Sequence, residues 1–153
     1  MSAKVITIIV TKGSLDWAYP PLILASTAAA LGYECRMFFT FYGLQLLKRN
    51  LRLQVSPLGN PALGSRLPVF IKTLPGVQAM FTRKARERLR AKGVADIEEL
   101  RQLCLDADVK MYACQMTAEL HEFTKKDFIP GVEYAGAATF FQSAGESDIC
   151  VFT

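Results

Sequence analysis

The segment Val5-Ile-Thr-Ile-Ile-Val10 constrains the fold more than any other. It is short, β-branched and almost wholly apolar, so its side chains are stiff and suit a strand. Because both alternating faces are apolar, the strand expects cover on both sides, as in a parallel sheet carrying helices on each face. Thr11-Lys-Gly-Ser14 ends the run with turn chemistry. From Asp16 the period changes to helical, with Leu22, Leu24, Ala25, Ala28, Ala29 and Leu31 recurring until Gly32 stops it. Pro20 and Pro21 either mark the true first turn of this helix or kink it.

The same alternation continues along the chain. Cys35 to Phe41 predicts a second apolar strand, and Gly43 with Leu44–Leu47 a second, shorter helix. Arg52–Val55 reads as a brief strand, followed by a loop punctuated by Pro57, Gly59, Pro61, Gly64 and Pro68. Leu67 to Phe81 is apolar but broken by Lys72 and Pro75-Gly76, and falls short of the roughly 20 apolar residues a spanning helix needs. Arg83 to Lys92 carries six basic residues and one acid and predicts a helix ended by Gly93. Asp96-Ile-Glu-Glu99 is a capping box opening a helix with Ile97, Leu100, Leu103, Cys104 and Ala107 on one face. Val109–Ala113 predicts a strand, Gln115–Phe123 a helix and Thr124–Asp127 a capped turn. Val132–Ala135 predicts a short strand, Ala137–Ala144 a helix and Ile149–Phe152 the last strand. Strands alternating with helices imply a three-layer α/β/α sandwich on a parallel sheet of about five strands. One domain over residues 1–153 follows, with an inserted loop and helix segment at about 50–92.

Composition narrows the function classes. Hydrophobic residues make up 51% of the 153-residue chain and charged residues 21%, which excludes a disordered chain and hints at association. A net charge of +4 is too mild to indicate nucleic acid. Four cysteines without a C-x-x-C pair, beside one histidine, disfavour a metal centre. The Thr11–Ser14 turn is no phosphate-binding loop, and G-x-G-x-x-G is absent, so neither a nucleotide nor another cofactor is expected. The first ten residues read as a strand rather than a signal peptide, so a cytoplasmic location with reduced thiols is expected.

In an open parallel sheet, reactive groups collect beyond the carboxyl ends of the strands. Cys35 starts a strand, Cys150 lies within one and Cys104 sits on an apolar helix face, so each reads as a small core residue. Cys114 falls between a strand and a helix, where unpaired amides and the helix dipole favour a thiolate. The alternative is a buried cysteine that merely ends its strand. His121, seven residues on, lies roughly 10 Å along a continuous helix, too far for a Cys–His dyad. Lys12, at the end of the first strand, would stabilise that thiolate if its turn neighbours Cys114; otherwise it is a solvated turn lysine. Gln115, the next residue, is a second candidate substrate contact. The basic run Arg83–Lys92 is a solvated face, a dock for an acidic carrier, or a contact to anionic lipid.

Several pieces in order resemble the DsrE/DsrF-like sulfur-transfer proteins, in particular the DsrE-like branch often labelled "peroxiredoxin family protein". They are Asn60-Pro61, Leu74-Pro-Gly-Val77, Lys110-Met-Tyr-Ala-Cys114, Asp127-Phe-Ile-Pro-Gly-Val132, Gly136-Ala-Ala-Thr139 and Val151-Phe-Thr153. The resemblance implies a five-stranded α/β/α fold, a homo-oligomer or hetero-oligomer, and a cysteine at Cys114 that holds sulfane sulfur. It further implies exchange with a TusA-like sulfur carrier or a heterodisulfide-reductase-like complex. The peroxidatic Thr-x-x-x-Cys pattern is absent, since Lys110 stands four residues before Cys114. Some members use a second cysteine; Cys104 stands ten residues upstream. The expected function is a sulfurtransferase-like carrier rather than a hydrolase or peroxidase. The rival is a non-catalytic oligomeric binding or scaffold module, with membrane-peripheral attachment through Leu67–Phe81 as a variant.

Overall fold

The computed structural model describes residues 3–56 and 68–153, so Asn60-Pro61 and Leu67 lie outside the described residues. Five parallel strands form one sheet in the order β4-β3-β2-β1-β5. They are β1 (Val5–Val10), β2 (Glu34–Phe39), β3 (Lys110–Cys114), β4 (Glu133–Ala135) and β5 (Ile149–Phe152). The α/β sandwich read from the sequence is therefore the architecture. β1 pairs with β2 through Ile8↔Met37 and with β5 through Ile8↔Val151. β2 pairs with β3 through Phe38↔Tyr112, and β3 with β4 through Cys114↔Ala135.

One face is covered by α1 (Leu15–Ala30), with α4 (Ile97–Asp106) packed against it. Leu15, Ala18, Leu22 and Ala25 recur three or four residues apart and are buried, which fixes the face α1 presents. Leu24 and Leu31, counted in the helical pattern, are exposed instead. Pro20 and Pro21 lie inside α1 rather than in its first turn. Their missing amides remove two of this helix's i→i−4 donors. On α4, Ile97, Leu100 and Cys104 are buried as the pattern requires, but Leu103 is 52% exposed and Ala107 is exposed. Arg101 takes their place: its guanidinium donates to the carbonyls of Leu46 at 2.9 Å and Lys48 at 2.7 Å. A buried cation satisfied by two carbonyls thus pins α4 to the segment after β2.

The opposite face carries α6 (Ala137–Gly145), held by Phe140 against Phe38 with ring centroids 5.4 Å apart. The Thr7 hydroxyl bonds Ser147 at 2.7 Å and Ser143 at 3.3 Å, so α6 is tied to the middle of the sheet.

Between β2 and β3 the chain forms a 3-10 segment, Phe41–Leu47, where a second helix was expected. Arg52–Val55 joins no strand: Gln54 accepts the Leu15 amide at 2.9 Å, and Val55 is held by Thr82 and Gln78. Two helices follow, α2 (Val69–Lys72) and α3 (Val77–Ala91). Phe81, Ala85 and Leu89 of α3 rest on the core, while Val69, Phe70, Leu74 and Met80 stay exposed. Among the described residues, no helix is long and apolar enough to cross a membrane.

Candidate functional site at Cys114

Cys114 ends β3 and is the N-cap of α5 (Gln115–Leu120). That helix stops at Leu120, three residues earlier than the pattern suggests, so it is six residues long. A macrodipole from so short a helix is small, and the local donors matter more. The residue is 8% exposed, so burial alone would push the thiol up. Against it act the Thr117 hydroxyl and amide, the Thr40 hydroxyl and the Met116 amide. Hydrogen bonds to the charged form outweigh the burial, and the thiol lies below its ordinary pKa.

The hydroxyl of Thr117 is fully buried and already accepts the Phe41 amide at 3.2 Å. It also lies 3.4 Å from the Thr40 hydroxyl, so the two threonines form a pair whose protons serve each other and the sulfur. Phe41 reaches this position with φ of 47°, a left-handed conformation unusual for a bulky residue. The turn is held from below by Gly43, whose amide bonds the carbonyls of Thr11 and Thr40. A Cβ at Gly43 would strike the Val10 carbonyl, so only glycine fits this close approach.

Around the sulfur's edge of the sheet stand four exposed apolar side chains, Phe41, Tyr42, Met116 and Leu120. His121 caps the end of α5 and stacks on Phe123 with centroids 5.5 Å apart. Among the described residues the site therefore offers an activated, shielded nucleophile with hydrogen-bond donors and no imidazole or carboxylate leading its pKa.

The other sequence candidates fall elsewhere. Lys12 follows β1, and β2 lies between β1 and β3, which sets those two strand axes about 10 Å apart. The Lys12 ammonium sits over the Trp17 ring, 3.1 Å from its centroid. Gln115 adjoins Cys114 in sequence, but its amide turns along the helix to Glu119 at 2.9 Å. Cys104 is fully buried, and its thiol donates to the Leu22 carbonyl at 3.7 Å. The thiol it influences is Cys35, not Cys114. Cys150, expected in the core, is exposed because β5 is an edge strand. Among the described residues, no group of three or more histidine, cysteine or acidic side chains is placed to hold a metal ion.

Thr40 and Thr117 escaped the sequence reading. Thr117 had a local signal, since the third residue after an N-cap faces the cap side chain. Thr40 had none, because its approach depends on β2 lying beside β3.

Comparison with known proteins follows the same lines. A model of the DsrE/DsrF/DrsH-like family matches residues 2–152. The chain is 60% identical to the sulfur carrier protein DsrE2 of Allochromatium vinosum over 158 aligned positions, covering 99% of each. It is 25% identical to the uncharacterized protein YrkE of Bacillus subtilis, covering 95% of this chain and 94% of the relative. The crystal structure of the ychN protein from E. coli superposes with a TM-score of 0.63 at 12% identity, covering 99% of this chain and 100% of that one. The last likeness is one of fold.

Proposed function

This chain belongs to the DsrE/DsrF/DrsH-like family, and on that premise we propose that it is a sulfur carrier that holds sulfane sulfur on Cys114. The observation that carries the reading is a nine-tenths shielded cysteine at the end of β3, beside the paired hydroxyls of Thr40 and Thr117, whose hydrogen bonds lower its pKa. Burial without donors would make the thiol inert; donors without burial would leave a persulfide open to water and stray thiols.

The transfer needs no base. The Cys114 thiolate attacks the outer sulfur of a donor persulfide, R–S–S–H. A sulfur–sulfur bond to Cys114 forms, the bond to R–S breaks, and R–S⁻ leaves with the electron pair. The proton stays on the transferred sulfur, and nothing is oxidised or reduced overall. Release to an acceptor thiolate repeats the exchange in reverse. The four donors that stabilise the attacking thiolate also stabilise Cys114 when it becomes the leaving group.

The apolar rim of Phe41, Tyr42, Met116 and Leu120 suits docking of the partner that brings or takes the sulfur. A TusA-like carrier or a heterodisulfide-reductase-like complex in the cytoplasm fits this role, with the chain itself one domain of a homo-oligomer. Loaded protein mixed with an acceptor thiol should pass on its sulfur. A Cys114→Ser chain that loads and delivers sulfur equally well would overturn the reading.

A second reading rests on one feature. Val69, Phe70, Leu74 and Met80 are exposed beside the basic residues of α3, a combination suited to a membrane surface. Flotation with anionic liposomes at low salt tests it; protein that stays in solution argues against it.

A further inference from the structure

We infer that the cleft at the carboxyl end of β1 is a binding site for a small oxyanion, separate from the sulfur of Cys114. The cleft has a volume of about 540 Å³. Lys12, Trp17, Tyr42, Gln45, Gln54 and Gln78 line it, with two serines and a glycine. Every one of these eight side chains carries an N–H or O–H donor, and none is a carboxylate.

Lys12 supplies the one charge among the described lining residues. Its ammonium rests on the Trp17 ring and makes no ion pair with a carboxylate among the described residues. An uncompensated cation among neutral donors selects a negative ligand, and a single cation suits a small one better than a polyanion. A neutral polyol would leave that charge unmatched.

The place in the sheet agrees. β1 has β2 on one side and β5 on the other, and the helices that follow β1 and precede β5 lie on opposite faces. In open parallel sheets the crevice outside such a strand end is where ligands bind. The wall is also closely packed: a Cβ at Gly13 would strike the Tyr42 carbonyl, so the turns after β1 and β2 lie in contact. Tyr42 lines the cleft, while its neighbour Phe41 holds Thr117 beside Cys114. The two sites share one turn, yet the anion site does not depend on the sulfur reading.

Trp17 is the single tryptophan of the chain and reports directly on the cleft. Its fluorescence is titrated with sodium thiosulfate and with sodium sulfate, against sodium chloride at matched ionic strength. A saturable change is expected with at least one of the two oxyanions. The affinity should fall about tenfold in Lys12→Gln, recover in Lys12→Arg, and be unchanged in Cys114→Ser. Saturation by both anions assigns a general oxyanion site; saturation by thiosulfate alone assigns one for a sulfane-bearing anion. An equal response to chloride, no saturable response, insensitivity to Lys12→Gln, or loss in Cys114→Ser would each overturn the inference.

Discussion

The amide of Phe41 donates to the hydroxyl of Thr117 at 3.2 Å, and this bond connects the end of β2 to the chemistry at the end of β3. A threonine hydroxyl has one proton to give. Thr117 also lies 3.4 Å from the Thr40 hydroxyl, and hydrogen bonds from this pair to the Cys114 sulfur oppose the burial that would otherwise keep the thiol neutral.

Replacing Thr117 by valine keeps the shape and removes the donor. The Cys114 pKa should rise, since burial then faces fewer opposing hydrogen bonds. Alkylation by iodoacetamide at neutral pH should slow by about tenfold, the worth of roughly one hydrogen bond to a charged group. A pH–rate profile that stays in place would remove Thr117 from the account.

Gly43→Ala tests the turn from a distance. The new methyl meets the Val10 carbonyl, which is backbone and cannot swing aside. A loss of about 1–3 kcal/mol in urea denaturation is expected. The Phe41 amide should shift with the turn, so Cys114 alkylation should slow as well.

Arg101→Leu leaves the Leu46 and Lys48 carbonyls without their donor. Those carbonyls are partly or wholly buried, and a cost of about 2–3 kcal/mol is expected. Unchanged stability would mean that water replaces the guanidinium at no cost.

The three shifted thiols act on stability with opposite signs. Burial pushes Cys35 up to about 12 and Cys104 up to about 11. Their folded pKa values lie above the unfolded ones, so their contribution is whole below the ordinary thiol pKa. It is lost as pH rises from there through about 11 and about 12. Cys114 is lowered, so its contribution is present above the ordinary thiol pKa and lost as pH falls through its folded value. Melting temperature against pH should therefore decline less on the alkaline side in Cys104→Ala than in the parent chain.

Much of this was legible because it is local. The β-branched run Val5–Val10, the capping box at Asp96 and the strand-to-helix junction at Cys114 depend on residues near one another in sequence. What the sequence hid depends on strand order. With β2 between β1 and β3, Lys12 moves away from Cys114 and Thr40 moves toward it. Cys150 turned outward for the same reason, since β5 ends the sheet. Arg101 in place of Leu103 was unreadable because a buried arginine needs two carbonyls that only the folded chain after β2 provides.

Accessibility and activation point to different cysteines, and that difference is the sharpest test of the account. Cys150 is exposed, whereas Cys114 is shielded but has its pKa lowered. The intact protein is incubated with polysulfide, blocked, digested and mapped by tandem mass spectrometry. A mass gain of one sulfur atom is expected on the Cys114 peptide, with Cys150 unloaded. Sulfur on Cys150 with Cys114 unmodified would contradict it.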